Sequence, residues 1–206
     1  MTKATSFDRQ TITERLQGLM GEKRLRHTIG VAASARELAA RYGENPDRAE
    51  LAGLLHDCAK ELKLKDMQAL VDEASTGTKV DVQVDDEMYR SGNLLHGTAG
   101  ALLAERDFGV TDAGVLEAIR VHTTGKAGMS ALDKIVFLAD YIEPGRTFPG
   151  VDALREAAEK DPDEAVLAGF ETTIGFLRDK DTPIYAPTLA AYEDMKEYLR
   201  RRHEDA

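Results

Sequence analysis

Residues 45–57, Asn45-Pro46-Asp47-Arg48-Ala49-Glu50-Leu51-Ala52-Gly53-Leu54-Leu55-His56-Asp57, read as a buried helix that ends on an imidazole and a carboxylate. Asparagine is a favoured N-cap and proline suits the first helical position, so Asn45-Pro46 starts it. Leu51, Leu54 and Leu55 supply apolar contacts, and the run 51–55 leads straight into His56-Asp57. A carboxylate at the negative end of a helix dipole, among apolar neighbours, is costly unless a cation compensates it. A metal ion would do so, and imidazole nitrogen with carboxylate oxygen is a donor set that borderline divalent metals accept. Successive helical side chains point about 100° apart, so the pair converges only on an ion beside the helix axis, and other helices must supply the remaining ligands.

The rest of the chain is also helical in pattern. Trp is absent, aromatics are few, and Ala, Leu, Glu, Arg and Lys dominate, all good helix formers. The periodicity predicts helices at about 11–20, at 23–42 ending on Gly43, and at 63–74. Ala32, Ala33, Ala35, Ala39 and Ala40 in the second helix are small enough for a neighbour to approach closely. Residues 75–85 alternate weakly around Gly77 and read as a loop, with a short edge strand as the alternative. Further helices are expected at about 98–108, 113–122, 131–142 and 151–159, from Asp161-Pro162 to about 178, and after Pro187. The whole chain, 1–206, is thus expected to form a single compact all-α domain, with the last two helices as a candidate cap.

Composition narrows the function. The 27 Lys and Arg against 37 Asp and Glu give a formal charge of −10, a surface that repels nucleic-acid backbones. A small anionic substrate is still compatible if a local pocket, with a cation in it, reverses the field. The one cysteine, Cys58, excludes an internal disulfide framework and fits a reducing cytoplasm. The N-terminus is polar, and no stretch approaches the ~18 uninterrupted apolar residues of a membrane span. The expectation is a cytoplasmic protein without nucleic-acid or membrane partners.

Asp140 is the best candidate for the opposite wall of an ion site, because it ends the apolar stretch Ile135-Val136-Phe137-Leu138-Ala139. Pairing with a nearby base such as Arg146 explains it equally well on local sequence. Of the five histidines, His203 lies in a charged tail and is expected in solvent, while His27, His56, His96 and His122 lie at helix ends or interiors. Cys58 lacks a histidine free to act as its base and reads as a buried small hydrophobe.

The order His27, His56-Asp57, Asp140 resembles the HD superfamily of metal-dependent phosphohydrolases. The strings Leu55-His56-Asp57-Cys58-Ala59-Lys60, Leu95-His96-Gly97-Thr98-Ala99-Gly100, His122-Thr123-Thr124-Gly125 and the long run from Leu132 to Arg146 are similar to the bacterial HD-domain symmetrical dinucleoside tetraphosphatases. The resemblance covers roughly residues 20–190. It implies a compact HD-domain helical bundle and metal-assisted cleavage of diadenosine tetraphosphate into two ADP. It also implies that His27, His56, Asp57 and Asp140 hold a divalent transition metal of the iron type.

Further roles follow from the same resemblance. His96 and His122 match a second pair of histidines that either bind a second metal or donate to substrate phosphates. Phosphate contact with one tightly held ion is the preferred reading, because no further carboxylate is visible for another ion. Asp57, His96, His122 and Lys60 are assigned to catalysis. Lys60 lies one turn past His56 and shares its face if the helix continues. Arg24, three residues before His27 and on the same face, and Arg146, on a loop after Pro144-Gly145, are further phosphate contacts. Tyr141 and Tyr185 complete the substrate-binding set, Tyr185 as a wall for base or ribose. A homodimer is an open expectation.

Three rivals remain at this stage. One is an HD phosphohydrolase for a guanosine alarmone or a dNTP. Another is a di-iron oxygenase using the same ligands. The third is a catalytically silent nucleotide-binding regulatory module.

Overall fold

The computed structural model describes residues 7–74 and 77–205, and among these there are eleven helices and no strand. They are α1 (Arg9–Gln17), α2 (Glu22–Tyr42), α3 (Pro46–Leu55), α4 (Leu64–Asp72), α5 (Asp86–Tyr89), α6 (Gly92–Phe108), α7 (Ala113–Val121), α8 (Ala131–Ile142), α9 (Val151–Lys160), α10 (Pro162–Asp179) and α11 (Ala186–Glu204). None of them is long and apolar enough to cross a membrane.

The central element is α3, packed against α2, α6, α7 and α8. Every residue from Ala49 to Ala59 is buried, so beyond its charged first turn this helix is enclosed by its neighbours. Its start is the one read from sequence: the Asn45 side chain accepts from the backbone N–H of Asp47 at 2.9 Å and of Arg48 at 3.3 Å. Three of the five α2 alanines do what their size allows, whereas Ala33 and Ala40 are exposed. A Cβ on Gly53 would lie 2.8 Å from Ala32 Cα, so the two backbones touch there, and Ala32, Ala35 and Ala39 have no exposed surface. α2 then stops at Gly43 in the left-handed region, φ 76°.

Three boundaries differ from the sequence reading. α1 begins at Arg9 because the Asp8 carboxylate caps it, accepting from Gln10 and Thr11, and it ends at Gln17, short of Met20. The four-residue α5, capped by Asp85, is too short for periodicity to reveal. α6 begins at Gly92, six residues before the expected start at 98. Gly97 and Gly100 weaken the helical signal there, yet Gly97 is required by packing, since a Cβ on it would lie 2.4 Å from the Arg120 carbonyl oxygen of α7. Of the expected loop, Ser75 and Thr76 lie outside the described residues, and 77–85 carry neither helix nor strand. α10 lies against α8, with the Phe170 and Phe137 ring centroids 4.6 Å apart, so it joins the main core.

Candidate active site

Four helix segments deliver the histidines to one place. His27 comes from α2 and His96 from α6, while His56 and His122 are the C-caps of α3 and α7. Their rings form a row, with centroids 5.3 Å apart for His27–His56, 4.9 Å for His56–His122 and 4.9 Å for His96–His122. His56 and His122 share one local device. Each donates Nδ1–H to the carbonyl three residues back, Gly53 or Ile119, at 2.7 Å. A carbonyl only accepts, so Nδ1 carries the proton and the Nε2 lone pair faces the centre. His27 is fixed similarly, with Nδ1 3.1 Å from Glu143 Oε1.

Asp57 lies in the middle of the row and faces both ends of it. Its Oδ2 is 3.5 Å from His56 Nε2 and 3.9 Å from His27 Nε2, and its Oδ1 is 3.4 Å from His96 Nε2 and 3.6 Å from His122 Nε2. Asp140, from α8, closes the far side with Oδ1 3.0 Å from His27 Nε2. Burial alone would raise both carboxyl groups. For Asp57 the charges and hydrogen bonds of His56, His122 and His96, and for Asp140 those of His27, His56 and Arg146, more than offset it and hold both well below the usual range.

This donor arrangement fits a metal ion. The Nε2 atoms of His27 and His56 are buried without a hydrogen-bond partner, although carboxylate oxygens are near. Facing lone pairs repel unless a cation lies between them. A proton is the only other remedy, and at His27, where burial lowers the pKa, Asp140 and Glu143 raise it to a net upward shift. Three overlapping sets have donor atoms within 4.8 Å of one another: His27, His56 and Asp57; His56, His122 and Asp140; Asp57, His96 and His122.

The HD domain family model matches residues 24–145. The chain belongs to the HD family. Its relatives include the symmetrical bis(5'-nucleosyl)-tetraphosphatase of Halalkalibacterium halodurans, 44% identical over 174 residues, which are 84% of this chain and 89% of that one. The protein of the same name from Bacillus subtilis is 39% identical over 171 residues, 83% of this chain and 88% of that one. Among solved structures, a predicted HD superfamily hydrolase involved in NAD metabolism from Clostridium acetobutylicum superposes with a TM-score of 0.86 at 41% identity, covering 93% of this chain and 98% of that one.

Cations ring the HD pair. Arg24 Nη1 lies 2.6 Å from Asp57 Oδ2, and Lys60 Nζ lies 3.4 Å from both nitrogens of His96. Lys60 arrives by a different route from the expected one. α3 does not continue past Leu55; tight turns follow, with Cys58 N–H donating to Leu55 and Lys60 N–H to Asp57. Burial lowers the Lys60 pKa, Asp57 opposing. Arg146 is folded onto Asp140, with Nη2 on its carboxylate and Nε 2.7 Å from its carbonyl. Asp140 thus makes the ion pair with Arg146 that local sequence allowed, and it also faces His27. Cys58 is buried and its thiol lies 3.4 Å from the Gly100 carbonyl, while His203 is 61% exposed beside Glu164.

Two cavities touch different ends of the HD-domain row. One, about 370 Å³, is bordered by Thr123, Thr173, Leu177 and Tyr185. Thr123 Oγ1 is 3.0 Å from His96 Nε2 and 2.9 Å from His122 Nε2. The Tyr185 hydroxyl donates to Asp85 at 2.8 Å, which fixes the ring as a wall. Tyr141 packs over Phe137 at 5.1 Å and spends its hydroxyl on Thr173, so it meets this cavity only through that threonine. The other cavity, about 850 Å³, is bordered by His27 and Arg146.

Glu143, Thr123 and Arg155 escaped the residue-by-residue sequence reading. Glu143 is three residues past Asp140, a spacing that shares a helical face and was the available signal. It is 5% exposed; besides holding His27 it accepts the Gly145 N–H at 2.6 Å. Gly30 leaves room for it, as a Cβ there would lie 2.6 Å from Glu143 Oε2. Arg155 of α9 donates to the carbonyls of Ile142, Glu143 and Arg146 at 3.0, 2.9 and 3.0 Å and so ties down the α8–α9 connection. Losing an outer partner of a metal-binding histidine typically costs 10–100-fold in metal affinity. Glu143→Ala is expected to show a loss of that order, about 10–100-fold, in a chelator competition titration.

The buried imidazoles also predict a pH dependence. Burial pushes His56 and His96 from 6.5 down to about 4, with Asp57 opposing in both. Between these values the unfolded chain takes up protons that the folded chain refuses. The contribution of these two groups to stability is therefore fully present above about 6.5 and falls as pH drops towards 4. The slope should reach at most about 1.4 kcal/mol per pH unit for each histidine. Urea midpoints of chelator-treated protein measure it, and a midpoint constant over this range would count against neutral rings.

Proposed function

We propose that this chain hydrolyses dinucleoside tetraphosphates symmetrically, taking diadenosine tetraphosphate to two ADP. The observation that carries the reading is the single carboxylate, Asp57, shared between two groups of inward-facing imidazole nitrogens, in a chain 44% identical to a symmetrical bis(5'-nucleosyl)-tetraphosphatase. His27, His56, Asp57 and Asp140 would hold a divalent transition metal, iron in this reading. When bound, such an ion supplies charge to polarise a phosphoryl oxygen and to acidify a water. A second ion at His96 and His122 is favoured more than the sequence suggested. The objection there was the lack of another carboxylate, and Asp57 offers Oδ1 on that side.

The chain's own groups account for the rest. Lys60, close to His96, and Arg24 and Arg146, close to the two carboxylates, neutralise charge on the phosphate chain. Arg24 and Arg146 can exchange a carboxylate partner for phosphate, since both are partly exposed. Tyr185 and Thr123 hold one nucleoside beside the row, which sets the attacked phosphorus two phosphates from it. The water oxygen bonds to that phosphorus, the central P–O–P bridge breaks, each half leaves as a nucleoside diphosphate, and protons pass to solvent. Incubating metal-reconstituted protein with diadenosine tetraphosphate and separating the products tests this. Two ADP are expected. ATP with AMP, or no reaction, overturns it, and pyrophosphate or triphosphate release from other nucleotides would favour the alarmone or dNTP reading.

A further inference from the structure

We infer that the cavity at the His27 end of the row receives the second nucleotide half of the substrate, with Phe148 as a platform for its base and Lys23 and Arg26 beside its phosphates. The inference rests on the reading above, because only a substrate with two nucleosides needs two such places.

A dinucleoside tetraphosphate cut at its middle bridge sends a nucleotide away from the reacting phosphorus in two directions. The two cavities leave the imidazole row from different ends, one through Thr123 and the other through His27. The His27 cavity is the larger, about 850 Å³ against about 370 Å³. Its lining reverses the sign of the protein. In a chain of net charge −10 it gathers Lys23, Arg26 and Arg146, and its single carboxylate, Glu143, has both oxygens engaged by His27 and Gly145. Such a local field favours an anion. Among the described residues Arg26 is paired only with Glu22, 3.5 Å away, with both side chains mostly exposed, a pair worth little. Phe148 and Ile29 supply the apolar part of the lining. The Phe148 ring meets Tyr141 edge-on at 6.4 Å, so it is braced from behind before any base arrives.

Steady-state kinetics on two substrates test this. Diadenosine tetraphosphate fills both cavities, whereas adenosine 5'-tetraphosphate carries one nucleoside, held at Tyr185. Base–aromatic stacking is strong enough that Phe148→Ala should lower the ratio of kcat/KM values, diadenosine over adenosine tetraphosphate, roughly ten-fold, mainly through KM. Because that variant removes a partly buried ring, the surface double variant Lys23→Gln/Arg26→Gln provides an independent arm. It should lower the same ratio several-fold. An unchanged ratio in both variants, whether both substrates suffer equally or neither does, overturns the inference alone, provided wild-type protein yields two ADP. Wild-type protein that leaves diadenosine tetraphosphate intact overturns the parent reading and this one with it.

Discussion

Asp57→Asn should lower kcat/KM for diadenosine tetraphosphate by at least about 1,000-fold, the scale expected when several kcal/mol of charge stabilisation by a bound ion are lost. The substitution keeps the side chain's size but removes the one charge to which all four imidazoles are turned. It also removes the acceptor charge next to Arg24, which is 31% exposed and can turn to solvent, so the fold should survive. Circular dichroism should be unchanged while metal content and turnover fall together. Normal turnover at full metal occupancy would show that Asp57 is not at the reacting centre.

Gly97→Ala should destabilise the protein by about 3 kcal/mol, at the upper end of ordinary overpacking. The new methyl would meet backbone: the Arg120 carbonyl oxygen at 2.4 Å and its carbon at 3.2 Å. Backbone in the last turn of α7 has little freedom to retreat, since Ile119 holds His122 by its carbonyl. The same clash would part His96 from His122, whose Nε2 atoms are 3.1 Å apart, so the surviving folded protein should be impaired as well. Gly175→Ala is the control. It lies on α10 with open space around it and should be neutral or slightly stabilising. Equal urea midpoints for the two variants would refute the close α6–α7 contact.

How much was legible in the sequence follows from where each signal resides. α2, α3 and α8 were read nearly to the residue, because capping and termination are local: Asn45-Pro46, Gly43 and the apolar run before Asp140 each act within a turn of themselves. α6 was read short, because Gly97 is a poor helix former in isolation and a good one only opposite Arg120. The HD pair announced itself by the cost of its own position, whereas His27 and Asp140 required family likeness, since their meeting spans 113 residues of chain between positions 27 and 140. Thr123 left no usable mark, as a threonine after a histidine looks like any helix end until His96 arrives from another helix.

The paired Nδ1 tethers of His56 and His122 bear on whether this centre can be moved to another scaffold. Two of the inward-facing imidazoles are gripped by carbonyls in the last turns of their own helices, so those helix ends are part of what sets the geometry of the row. Each helix end carries roughly half a negative charge, and the two rings they hold lie 4.9 Å apart. Grafting only the side chains onto a different bundle would reproduce the donor list without that background field or the fixed tautomers. The transplantable unit is the two helix ends together with the helices that seat them, α2 against Gly53 of α3 and Gly97 of α6 against the last turn of α7.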